Sequence, residues 1–167
     1  LTEADLRGKL PKSEKIYIVE SDLTNANLHG LKLPRIQAYD AIMTNADLSD
    51  SDLQDGNFYR ANLSGVNLSG AHLKHFGAYE ANLSGANLSG TDMKRFKAKD
   101  ADLSGANLSG ANLHKANLIN SDLSGANLSG ANLTKACLER ANLQGANLEG
   151  AIFDQAQLWK ANLQGTN

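Results

Sequence analysis

A unit of five residues, seen in Ala126-Asn127-Leu128-Ser129-Gly130 and again from Ala106 to Gly110, recurs without a slip of phase after Ile16. Residue numbers ending in 3 or 8 hold its third position. Of the 29 such positions from 23 to 163, 22 are Leu, two Met, two Phe and three Ala. The first position, two residues earlier, is mostly Ala. Two apolar residues separated by one polar residue follow the alternation of an extended chain, so first and third positions face inward while Asn, Ser and Gly face out. A helix repeats every 3.6 residues, and a five-residue period drifts off any single helical face. Regular glycines inside a helix would also cost about 1 kcal/mol each. The chain is therefore all-β.

The number of units in one coil is also legible. Gly occupies the fifth position twelve times, at 30, 65, 70, 85, 90, 105, 110, 125, 130, 145, 150 and 165, and every one of these numbers leaves a remainder of 5 or 10 on division by 20. The three third-position alanines, Ala38, Ala78 and Ala98, fall in one class of the same division, and Ile36, Phe76 and Phe96 stand at their first positions. In that class Gly56 precedes Phe58, so a large inward residue is matched by a small one, as dense packing requires. These patterns predict a square coil of 20 residues with four short strands and four corners, stacked at about 4.8 Å. Residues 16–167 supply 152 residues, or between seven and eight coils. Leu-Ser-Gly-Ala puts Gly at the third residue of a turn, where type II geometry needs positive φ, and Asn25 and Asn45 suit the same corner.

The Ala-Asn/Asp-Leu-Ser-Gly units resemble those of the pentapeptide-repeat proteins over essentially all of residues 16–167. The resemblance implies a right-handed quadrilateral β-helix, with handedness coming from the family and not from the period. The resemblance is to a family with many members without assigned activity and a few that mimic duplex DNA to act on DNA gyrase.

Residues 1–15 leave the phase. Ala4-Asp5-Leu6-Arg7-Gly8 resembles one unit, but Leu6 lies twelve residues before Ile18 instead of ten. This segment is expected to be an N-terminal cap over a β-helix at 16–167. At the other end Thr166-Asn167 stops partway through a coil, leaving open edges and Leu163 near solvent, where a homodimer is one expected cover.

The outward positions differ from side to side. Units centred on Leu63, Leu83, Leu103 and on Leu68, Leu88, Leu108 offer only short polar groups and read as scaffold. The side centred on 38, 58, 78 and 98 carries Tyr39, Tyr59, Tyr79, Lys99, Ile119, Glu139 and Trp159 at its fourth positions. Tyr39, Tyr59 and Tyr79 should form a ladder on adjacent coils, either as binding anchors with Trp159 or as stacked rings that stiffen the wall. Beside them Asp40, Arg60 and Glu80 alternate in sign and predict an exposed ion-pair ladder. The preceding side carries Lys74, His75, Lys94, Arg95, His114, Lys115 and Lys135, with Lys97 and Lys99 past its corner. From 71 to 115 six Lys or Arg face four acids, a net of +2 on a chain whose total is -2. Lys74, Lys94, Arg95 and Lys115 are thus candidate contacts for an acidic partner, or a solvated corner.

Other functions are disfavoured. The net charge gives no general attraction to nucleic acid or membrane, and no apolar run approaches the roughly 20 residues needed to span a bilayer. No leader is visible, so a cytoplasmic site is expected, although a chain opening at Leu1 can also be a trimmed form or a module of a larger protein. His72 and His75, and likewise His75 and His114, lie about 10 Å apart by strand spacing, too far to share an ion. Cys137 is single, and no phosphate loop or nucleophile elbow occurs. No catalysis, cofactor, metal or small-molecule substrate is expected. The leading reading is a noncatalytic scaffold for a protein partner. The alternatives are a DNA mimic acting on a topoisomerase such as gyrase, for which the surface lacks acidic ladders, and a repeat module of a larger protein.

Overall fold

The computed structural model describes residues 15–167. Parallel bridges join each second position to the residue 20 further on, from Tyr17 with Gln37 to Asn142 with Asn162. Four units therefore complete a coil, and each ends in a two-residue corner. The cap expected at 1–15 lies outside the described residues except for Lys15.

Buried backbone groups need partners, and one unit shows where all of its donors go. Ala106 N–H closes the preceding turn on Leu103 O at 3.1 Å, and Asn107 N–H bonds back one coil to Ala86 O at 2.9 Å. Leu108 and Gly110 N–H bond forward to Asn127 O at 2.7 Å and Ser129 O at 2.8 Å. The fourth donor, Ser109 N–H, has no backbone acceptor and is taken by Asn107 Oδ1 at 3.2 Å. This local bond is the physical reason for Asn or Asp at the second position, a role the sequence reading left as merely outward and polar.

The turn from Leu103 to Ala106 has φ +64° at Gly105, its third residue, as type II geometry requires. The structure extends this beyond the glycines and asparagines. Every fifth position from Glu20 to Gly165 has positive φ, including Arg35 at 61°, Arg60 at 52° and Lys115 at 58°. The coil-to-coil hydrogen bonds fix the corner, so a side chain there accepts a strain of about 1–2 kcal/mol.

First and third positions fill the interior, and Leu28, Leu63, Leu108 and Leu143 are all solvent-free or nearly so. Where Ser51, Thr91 and Ser121 replace Ala, each hydroxyl donates to the carbonyl three residues back, at 2.6 to 2.7 Å, so no polar group is stranded. Phe58 meets Phe76 at 4.6 Å between ring centres and Phe76 meets Phe96 at 6.0 Å, a short aromatic stack beneath the tyrosine side. In the last coil burial falls off, and Leu163 is 42% exposed.

Candidate functional site

Tyr39, Tyr59 and Tyr79 stand half-buried on three successive coils, in the register that the period predicts. Their rings do not stack on one another; among the described residues, ring–ring contacts are confined to Phe58, Phe76 and Phe96 inside. Tyr59 instead receives the Arg60 guanidinium 5.0 Å from its ring centre, and its hydroxyl donates to Glu80 at 3.3 Å. Arg60 makes a two-point contact with Asp40, at 2.8 and 2.9 Å. That hydrogen bond holds the Asp40 carboxyl below the usual carboxylate range and raises Arg60 further. The expected Asp40, Arg60, Glu80 ladder is therefore real at its first pair, while Glu80 serves the Tyr59 hydroxyl.

The three tyrosines line a surface groove of about 530 Å³ with Asp55, His75, Asn57 and Lys97, floored by Gly56 and Gly77. Its depth has a simple origin. Gly77 is the one glycine at a second position between Tyr17 and Asn167, so the wall there lacks a side chain. His75 Nδ1 lies 3.0 Å from Asp55 Oδ1 at one edge. Burial pushes the Asp55 carboxyl up, but hydrogen bonds from His75 and Gln54 prevail, and it stays below its ordinary value.

Lys74, Lys94, Arg95 and Lys115 are all exposed on the adjoining side. Lys94 reaches Asp92 at 3.3 Å, whereas Lys74, Arg95 and Lys115 have no ion pair among the described residues. Arg95 and Lys115 occupy equivalent corners of successive coils. Lys97, past that corner, is the cation that reaches the groove, so the aromatic and basic stripes meet there. Trp159 is not part of it. It lies 80 residues, or four coils, beyond Tyr79, is 56% exposed, and faces Lys160 at 4.2 Å and Arg140 at 5.4 Å.

Sequence reasoning missed the groove, although its signal was present: a lone Gly where the repeat carries Asn or Asp. It also missed a polar cluster in which His29 Nδ1 lies 3.0 Å from Ser49 Oγ while Ser49 donates to Asp47 Oδ1 at 2.5 Å. Here the carboxylate engages the serine directly, so the order is not the acid, histidine, serine relay that activates a nucleophile. Among the described residues no three His, Cys, Asp or Glu converge on a cation position.

A family model described as pentapeptide repeats matches in eight copies, with stretches running from 21–58 to 131–167. The chain belongs to the pentapeptide repeat family. Its solenoid is accordingly a right-handed quadrilateral β-helix, and in general terms a repeat scaffold. A pentapeptide repeat protein of the Arabidopsis thaliana thylakoid lumen is 34% identical over 53% of this chain, with a TM-score of 0.52; this chain spans 62% of that one. A trypsin-treated form of QnrB1, a plasmid-mediated fluoroquinolone resistance protein, is 23% identical over 90% of this chain and 81% of its own, with a TM-score of 0.53. HetL, involved in heterocyst differentiation regulation in Nostoc sp. strain PCC 7120, is 29% identical over 98% of this chain and 93% of its own, with a TM-score of 0.41. No curated protein sequence matches the chain.

Proposed function

We propose that this protein is a noncatalytic scaffold that holds a protein partner against the groove of Tyr39, Tyr59 and Tyr79, with Lys74, Arg95 and Lys115 as flanking charges. The observation that supports this reading is the meeting of the aromatic and basic stripes at one concavity. Aromatic anchors in concave sites carry much of the energy of protein interfaces. A wall tied by hydrogen bonds on every coil is already ordered before binding, which lowers the entropic cost of association. The duplex-mimic alternative requires an anionic track, and Arg95 and Lys115 on successive coils present the opposite sign.

The test immobilises the wild type and a Tyr39→Ser, Tyr59→Ser, Tyr79→Ser variant, exposes both to lysate of the source cell, and identifies the retained proteins by mass spectrometry. A protein held by the wild type is then purified and titrated against both. Loss of its binding in a variant with an unchanged circular dichroism spectrum supports the reading. Retention of every partner by that variant overturns it.

A further inference from the structure

The second positions form ladders with two kinds of bond. Nearly every Asn or Asp there accepts the N–H two residues on, as Asn57 Oδ1 does from Tyr59 at 3.2 Å and Asn87 Oδ1 from Ser89 at 3.3 Å. On some coils the Asn amide also donates to the rung one coil earlier, as Asn67 does to Asp47 at 3.1 Å and Asn87 to Asn67 at 3.2 Å. Gly77 interrupts this pattern inside the tyrosine groove. With no side chain at 77, Tyr79 N–H finds no acceptor among the described residues, and no amide side chain from the next coil reaches Asn57 Oδ1. Other fourth-position N–H groups, those of Tyr39 and Lys99 among them, likewise lack such an acceptor, but each follows a second position that carries a side chain, whereas position 77 carries none and lines the groove. A Cβ built on Gly77 would stand 3.9 Å from Asn57 Oδ1 and 3.4 Å from Gly56 O.

We propose that the groove over Gly77 binds a primary carboxamide. Its NH2 donates to Asn57 Oδ1, its oxygen accepts from Tyr79 N–H and from Lys97 Nζ, and the Tyr59 and Tyr79 rings flank the carbon stem. The ligand supplies from outside the rung that the sequence omits. A carboxylate is disfavoured, because it sets an acceptor against Asn57 Oδ1 and a negative charge near Asp55. A ketone or ester lacks the donor. The same chemistry is offered by a Gln or Asn side chain of a protein or by a free amide, and the inference rests on the proposed function in taking this groove as the partner site.

The experiment follows the Tyr79 backbone amide by nitrogen-proton NMR of the labelled full chain. The probes are N-acetylglutamine methylamide, its glutamate counterpart and propionamide. The expected result is a saturable downfield shift of the Tyr79 amide proton with the glutamine probe and binding at least about tenfold weaker for glutamate, since a site built for a donor rejects an analogue without it. Gly77→Asn should abolish the response, because its own carboxamide takes the position. This variant should fold, as Gly77 is not at positive φ and its added Cβ meets no contact tighter than 3.4 Å. A Tyr79 amide already shifted downfield in the free variant confirms the internal rung. No saturable Tyr79 response to either amide probe, equal binding of glutamate, or an unchanged response in Gly77→Asn overturns the proposal. Propionamide binding as tightly as the glutamine probe assigns a free amide, and weaker binding assigns a protein side chain. A wild type that binds the probe while the triple tyrosine variant keeps every partner sinks the partner reading alone. A probe-silent wild type whose partner is lost on tyrosine replacement sinks the carboxamide site alone.

Discussion

Phe58 folds back over Gly56, so that a Cβ at position 56 would stand 3.0 Å from Phe58 Cε2 and 3.3 Å from Ile36 Cγ2, besides 2.9 Å from the Leu53 carbonyl oxygen. The ring takes the volume that Phe76 and Phe96 fill from first positions in the next two coils. Gly56→Ala should therefore cost about 1–3 kcal/mol as an overpacked core. Phe58→Leu should cost less in the Gly56→Ala background than in the wild type, because the two sites compete for one space. Urea denaturation of the four proteins checks this, and strictly additive losses would count against shared volume.

Asn87 makes more than one bond for the wall. Its Oδ1 accepts Ser89 N–H and the Ser89 hydroxyl, and its amide reaches Asn67. Asn117 Oδ1 takes Ile119 N–H at 3.2 Å, and its amide joins no neighbouring rung among the described residues. Asn87→Ala should lower stability by about 1 kcal/mol or more, and Asn117→Ala by less. Equal denaturation midpoints for the two variants would show that the ladder adds nothing to the turn bond.

The corners separate backbone strain from crowding. Gly110 has φ +64° and a Cβ there meets nothing within 4 Å, so Gly110→Ala measures strain alone, at about 1 kcal/mol. At Gly65 a Cβ would collide with the Asn45 side chain one coil away. Gly65→Ala should cost more than Gly110→Ala, and Asn45→Gly should recover the difference. Thermal melts of the three variants check the order; equal losses at 65 and 110 would mean that Asn45 swings aside freely.

Acid should weaken the molecule through carboxylates tied into the wall. The Ser49 hydroxyl holds the Asp47 carboxyl below its usual range against the opposing effect of burial, helped by Ser49 N–H, the His29 charge and the Asn67 amide. The folded value lies below the unfolded one of about 3.9, so the contribution is present above that pH and lost as pH falls through the folded value. Ser49→Ala removes the largest stabilising bond and narrows the gap. Its melting temperature should fall less than that of the wild type between about pH 7 and about pH 3. An identical pH dependence in the two proteins would refute the assignment.

Much of this architecture was legible in the residues. The remainders of the twelve glycines and the alignment of Ala38, Ala78 and Ala98 determined a 20-residue coil, the inward positions and the adjacency of Tyr39, Tyr59 and Tyr79. These features are readable because burial of a Leu stabilises by about 1.5–3 kcal/mol and recurs in nearly every unit, so the pattern must be kept throughout. The exposed contacts obey no such rule. Arg60 reaches Asp40 and leaves Glu80 to the Tyr59 hydroxyl, the tyrosine rings stay apart, and Gly77 opens a groove bounded by Asn57 and Lys97 from neighbouring coils. Surface pairings of this kind contribute about 1 kcal/mol or less and depend on side-chain direction. The one-dimensional period fixed which residues are neighbours, and only the tertiary structure decided which of those neighbours meet.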